Sequence, residues 1–158
     1  LETKCDLIIS VYALIESGHW NRDRLSNWAD SIIISVDVPQ DWIIILSQET
    51  TAQPTNIEDI FQKIFIENKV FLPNNFYEVC AGLVLVRYAR NLIAEDVARE
   101  LIVDFSDPGG IAGIDSEGVR EVDLNDSKFQ KLRDVSTSMV ADLTPAIICS
   151  KHRNLVSV

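Results

Sequence analysis

Residues 57–65, IEDIFQKIF, place their apolar side chains on one face of a helix. The apolar positions follow the spacing i, i+3, i+4, i+7 and i+8: Ile57, Ile60, Phe61, Ile64 and Phe65. A helix of 3.6 residues per turn brings these positions to one side, where they can be buried together. Just before them, Thr55 and Glu58 have the spacing of a capping box. The stretch therefore predicts an amphipathic helix that begins near Thr55.

The same spacing recurs toward the N-terminus. Residues 25–33, LSNWADSII, repeat the apolar template, and Asn21 is positioned to cap that helix. An earlier apolar face, in residues 5–15, predicts a first helix that stops near Gly18. Pro39 suits the first turn of a short third helix, although a strand is the alternative because short apolar runs are ambiguous.

The central part of the chain predicts the most buried helix. Asn74 or Asn75 opens a segment that reaches about Ile93, and its middle, residues 79–86, is apolar nearly all round. Two more helices are expected to follow. The first of these is capped by Asn91 or follows a kink, and the predicted cap of the second is Ser127.

Residues 106–126 break the helical pattern. They contain Pro108, four of the six glycines and six acidic residues against one basic residue, Arg120. A connection of this length is usually functional or flexible. Elsewhere we find no internal repeat and no linker. We therefore predict an all-α fold with one domain over residues 1–158: a compact bundle of about six to seven helices, this long acidic Gly-rich loop, and room for a minor β element.

Charge and composition exclude several classes of protein. The net charge of −10 repels nucleic acid and anionic lipid, so neither is an expected partner. No apolar run approaches the roughly 18–20 residues that span a bilayer, and we predict no signal peptide. The cysteines are odd in number and widely separated: Cys5, Cys80 and Cys149. That pattern predicts neither a disulfide framework nor a zinc site and favours a reducing compartment, so we predict a cytoplasmic protein.

Catalytic motifs are missing from the sequence. Only His19 and His152 could act as imidazole bases, and their contexts are those of a helix end and an exposed tail. The glycine-rich residues 107–113 lack the Lys-Ser/Thr ending of a phosphate-binding loop. We therefore assign no catalytic residue, cofactor or metal ligand, and a non-enzymatic role is favoured. Trp20, which lies in a predicted turn, is the tryptophan expected to be most exposed.

An acidic protein without catalytic residues suits the role of an antagonist. A binding protein of this kind needs a steering field and acidic side chains that pair with Lys or Arg of its partner. Size, charge and missing chemistry are analogous to those of bacterial immunity proteins, which neutralise basic toxins. We predict partner-binding residues in the acidic loop: Asp107, Asp115, Glu117, Glu121 and Asp123. The alternatives are a carboxylate- or metal-dependent enzyme of unknown reaction and a helical subunit of a larger assembly, and the sequence leaves the oligomeric state open.

Overall fold

A computed structural model describes residues 1–52, 56–107 and 109–158. Within these ranges the chain forms ten helices: α1 (Lys4–Glu16), α2 (Arg22–Ser35), α3 (Asp41–Ala52), α4 (Ile57–Asn68), α5 (Phe76–Ala89), α6 (Glu95–Ser106), α7 (Ser116–Glu121), α8 (Ser127–Asp142), α9 (Pro145–Lys151) and α10 (Arg153–Val156). The all-α prediction is confirmed. The number of helices exceeds the predicted six to seven because α7, α9 and α10 are short and carry little periodic signal. The β structure found in these ranges consists of two isolated bridges, Pro39 with Ser157 and Ile111 with Ile114.

Polar caps begin two of the predicted helices. The Asn21 side chain accepts a hydrogen bond from the backbone N–H of Arg24 at 2.9 Å, so its predicted capping role is confirmed. At α4 the Asn56 side chain caps the backbone N–H of Glu58 at 3.1 Å. The predicted cap at that helix, Thr55, lies outside the described residues.

Two predicted boundaries in the middle of the chain are wrong. Helix α5 ends at Ala89 rather than near Ile93. The cause is Asn91, whose φ of 56° is left-handed and cannot continue a helix. The cap of α6 is accordingly Ala94 and not Asn91.

The described chain forms two compact units. Unit 1 comprises Leu1–Ile15, Trp20–Leu72 and Ala141–Val158, and unit 2 comprises Glu16–His19 and Pro73–Val140. One domain for the whole chain stays a prediction. Among the described residues, no helix combines the length and the apolar character that crossing a bilayer requires.

Three tryptophans lie at the centre of unit 1. The ring centroids of Trp20 and Trp28 are 5.7 Å apart, and those of Trp28 and Trp42 are 6.1 Å apart. Trp20 is the most accessible of the three, as predicted, but with only 6% of its surface accessible it is buried and not exposed. The chain turns back after α1, where the backbone N–H of Trp20 donates to Leu14 O at 2.9 Å, and this turn brings the indole of Trp20 against Trp28.

Helix α5 supplies the core of unit 2. Residues 80–86 are buried, which confirms the predicted central apolar segment. Gly82 allows α8 to approach closely, since a Cβ at this position would collide with the Ser136 hydroxyl and lie 2.8 Å from Leu132 O. The core of this unit is completed by α6, α7 and the first half of α8, through residues that include Ile102, Val119 and Phe129.

Candidate partner-binding surface

The predicted acidic loop contains a helix. Residues 116–121 form α7, which Asp115 caps by accepting a hydrogen bond from the Gly118 N–H at 2.7 Å. The expectation of an uninterrupted loop over 106–126 is therefore wrong. Only Val119 of this helix is buried, so the segment offers no apolar period from which a helix could be predicted. The one local feature that could have predicted α7 is its N-cap, Asp115, which precedes Ser116 and Glu117.

All five residues predicted to bind a partner are exposed: Asp107, Asp115, Glu117, Glu121 and Asp123. They lie along one continuous segment, from the end of α6 through α7 to the turn before α8. Exposure is a requirement of partner binding. Their role in binding stays a prediction.

Arg99 joins α6 to α7. Its guanidinium donates hydrogen bonds to Val119 O at 3.0 Å and Val122 O at 2.6 Å, the last carbonyls of α7 and its C-cap. A third contact, to Glu95 at 2.9 Å, is an ion pair between successive turns of α6. Because α7 has only six residues, it would not be stable alone. Arg99 therefore fixes the helix that carries Glu117 and Glu121, a role that the sequence analysis missed.

The last acidic residues of the segment form the turn before α8. Asp123 accepts a hydrogen bond from the Asn125 N–H at 2.9 Å, and Asp126 accepts one from the Lys128 N–H at 2.9 Å. Each is an Asx-type turn, in which a side chain satisfies a nearby backbone donor. Ser127, the predicted cap, is instead the first residue of α8. Asp115 and Asp123 thus hold backbone structure, whereas Glu117 and Glu121 make no ion pair in the described part of the chain.

The buried end of the segment is held by Ser106. Its hydroxyl lies 2.7 Å from Val103 O and 3.0 Å from the Ser116 hydroxyl, which connects the end of α6 to the start of α7. Asp107, the next residue, is exposed as the C-cap of α6. Pro108 lies outside the described residues.

The surface of α6, α7 and the following turn, which we call the acidic surface, has little internal charge compensation. Residues 95–126 contain ten acidic and two basic residues, Arg99 and Arg120. The Arg99 guanidinium is engaged with backbone carbonyls, as described above. Arg120 lies 3.6 Å from Glu100, and both side chains are more than half exposed, so this pair contributes little stability. The acidic surface therefore retains a net negative field.

A metal centre and a reactive thiol are the other kinds of site that acidic, histidine and cysteine side chains can form. Among the described residues, no group of three or more His, Cys, Asp or Glu side chains comes close enough together to hold a metal ion. Burial, together with the charge of Glu16, raises the pKa of the Cys80 thiol to about 12, so this cysteine is a weak nucleophile at neutral pH. Comparisons with protein-family models, with curated proteins and with solved structures found no match.

Proposed function

We propose that this protein is an acidic antagonist that binds a basic protein through the acidic surface, in the manner of a bacterial immunity protein that neutralises a basic toxin. The observation that carries the proposal is the set of exposed carboxylates on a segment whose backbone is fixed by Arg99, Asp115 and Asp123. Side chains on a fixed backbone lose less entropy on binding than side chains on a mobile loop.

Charge supports the same role. Carboxylates without internal partners are available to Lys and Arg of another protein, and a field of one sign accelerates the encounter. An acidic surface of this kind steers a basic partner and repels acidic ones, which provides specificity as well as speed.

The first experiment identifies the partner. Tagged protein, co-expressed with the product of its neighbouring gene, is recovered from native lysate at low and at high salt. We expect a stoichiometric basic protein that is retained at low salt and released at high salt, because screening weakens pairs between exposed charges. Recovery of an acidic partner, or of a partner insensitive to salt, would contradict the proposal.

The second experiment tests the surface. The variant E117K/E121K reverses the two charges that make no ion pair in the described chain, and it leaves the capping side chains of Asp115 and Asp123 in place. The control E2K/E67K makes the same change in net charge on exposed residues of unit 1. We expect the association rate with the recovered partner to fall about tenfold or more for E117K/E121K and much less for the control. Equal association rates for the two variants would contradict the proposal that the acidic surface binds the partner.

A further inference from the structure

Unit 2 contains a cavity that is separate from the five predicted binding residues. Its volume is about 320 Å³, and it lies between the first turn of α5, the bend at Ala112 and residues 128–136 of α8. This volume falls at the low end of the roughly 300–1,000 Å³ that small-molecule sites occupy. Next to the cavity, the missing Cβ of Gly82 lets α5 lie close to Leu132 and Ser136 of α8.

The walls of the cavity are largely apolar. Val79 of α5, Ala112 of the bend, and Leu132 and Val135 of α8 supply the aliphatic surface. Val135 is 54% exposed although it is a large apolar residue. An apolar ligand in the cavity would therefore remove surface from water on the protein as well as on itself.

The mouth carries positive charge in a protein of net charge −10. Lys128 and Lys131 both line the cavity, and their i, i+3 spacing places them on one side of α8. Both are exposed, and neither makes an ion pair within the described part of the chain. Among the lining residues, Glu78 is the one acid, so the local balance is positive.

Two further features favour an anion. The N-terminal turn of α5 borders the cavity, and the partial positive charge of that helix N-terminus adds to that of the lysines. Asn75, at the cap position of α5, makes no capping hydrogen bond with its side chain. These groups can donate hydrogen bonds to a bound acceptor.

We propose that this cavity binds a small amphiphilic monocarboxylate, with its apolar body against α5 and α8 and its carboxylate between Lys128 and Lys131. Apolar walls disfavour a fully polar anion such as inorganic phosphate. Glu78 and the lack of an arginine among the lining residues disfavour a dianion, for which a bidentate guanidinium would be the usual partner. The proposal is independent of the acidic surface, so either can fail without the other.

Calorimetric titration of the whole protein tests the ligand class. The probes are octanoate, octanol, octylammonium and inorganic phosphate, each below the concentration at which it aggregates. We expect octanoate to bind, octanol to bind at least about tenfold more weakly because it lacks the charge-assisted hydrogen bonds, and the other two not to bind. Absence of octanoate binding overturns the proposal, and so does equal binding of octanol or tighter binding of octylammonium or phosphate.

Variants then locate the site. K128Q/K131Q removes both charges of the mouth, and K4Q/K151Q removes two lysines of unit 1 and so matches the change in net charge. V135E places a carboxylate at the cavity on an exposed position, where it should not disturb folding. We expect octanoate affinity to fall at least about tenfold in K128Q/K131Q and in V135E, and to change little in K4Q/K151Q. Equal losses in the two lysine variants, or no loss in K128Q/K131Q, would show that octanoate binds elsewhere.

Discussion

Two tryptophans of unit 1 allow the contribution of one buried hydrogen bond to the free energy of unfolding to be measured. Trp28 and Trp42 are both buried, at 4% and 1% exposure, and their rings are in contact. The Trp28 indole N–H donates to Leu143 O at 2.8 Å, whereas the Trp42 indole N–H has no hydrogen-bond partner among the described residues. The same substitution, Trp→Phe, therefore breaks a hydrogen bond at one position only.

The difference between W28F and W42F isolates that bond. Each variant loses one ring of the indole, and this cost is common to both. W28F also leaves the buried Leu143 carbonyl without its donor, which costs about 1–3 kcal/mol. W42F removes a donor that already lacks a partner and so carries no such cost. We expect W28F to be less stable than W42F by about 1–3 kcal/mol.

Urea unfolding followed by far-ultraviolet circular dichroism is the suitable assay, because tryptophan fluorescence changes with the substitution itself. In a chain of this size each kcal/mol corresponds to about 2–4 °C in Tm, so thermal unfolding gives a second measure. Equal midpoints for the two variants would refute the assignment of a stabilising hydrogen bond to Trp28. A larger loss in W42F would refute the claim that its N–H lacks a partner.

Three further predictions concern packing, thiol reactivity and pH. G82A should lose stability in urea unfolding, because overpacking of about 1–3 kcal/mol exceeds a helix-propensity gain of up to about 1 kcal/mol. In the control G109A, the free energy of unfolding should stay within about ±0.5 kcal/mol of the parent, since no atom lies within 4 Å of the added Cβ. If G82A were as stable as G109A, the close contact between α5 and α8 would be contradicted. In the native protein at pH 8, Cys80 should resist alkylation, whereas the half-buried Cys5 and Cys149 should react. Mass spectrometry after mild iodoacetamide treatment gives the order in which the three are labelled, and early labelling of Cys80 would contradict its burial. Burial raises the pKa of Asp6, but hydrogen bonds from the Thr3 side chain and from backbone N–H groups outweigh this and lower it overall. A lowered folded-state pKa means that Asp6 stabilises the fold above its unfolded pKa of about 3.9 and that this contribution is lost as pH falls through the lower folded value. D6N should therefore be less stable than the parent at neutral pH, and the difference in their free energies of unfolding should shrink as the pH falls below 4. A difference that does not change with pH would contradict the lowered pKa of Asp6.

The helices that were predicted correctly share a strong local signal. Asn21 caps α2 through atoms three residues away, so the chemistry that begins the helix is contained in the adjacent sequence. Residues 80–86 are so uniformly apolar that only burial suits them. The break after α5 had a weaker signal, because an Asn with a left-handed φ also resembles an N-cap in sequence.

Only part of the structure of the acidic segment could be predicted from neighbouring residues in the sequence. Exposure of all five predicted acidic residues followed from their polarity. The helix between them did not, since its only buried residue is Val119 and its position depends on Arg99, some twenty residues earlier in the chain. Trp20 shows the same limit, because its burial depends on a contact with Trp28 that the turn after α1 creates.

The sequence by itself determined the all-α class, most of the helices and the acidic character, because periodicity, capping and charge are properties of neighbouring residues. Only the tertiary structure decided that α7 is held against α6, that Trp20 is buried, and that α5 and α8 enclose a cavity beside Lys128 and Lys131. The cavity depends on Gly82 facing Leu132, fifty positions later in the chain. Contacts between residues so far apart arise from packing, and no local pattern in a single sequence encodes them.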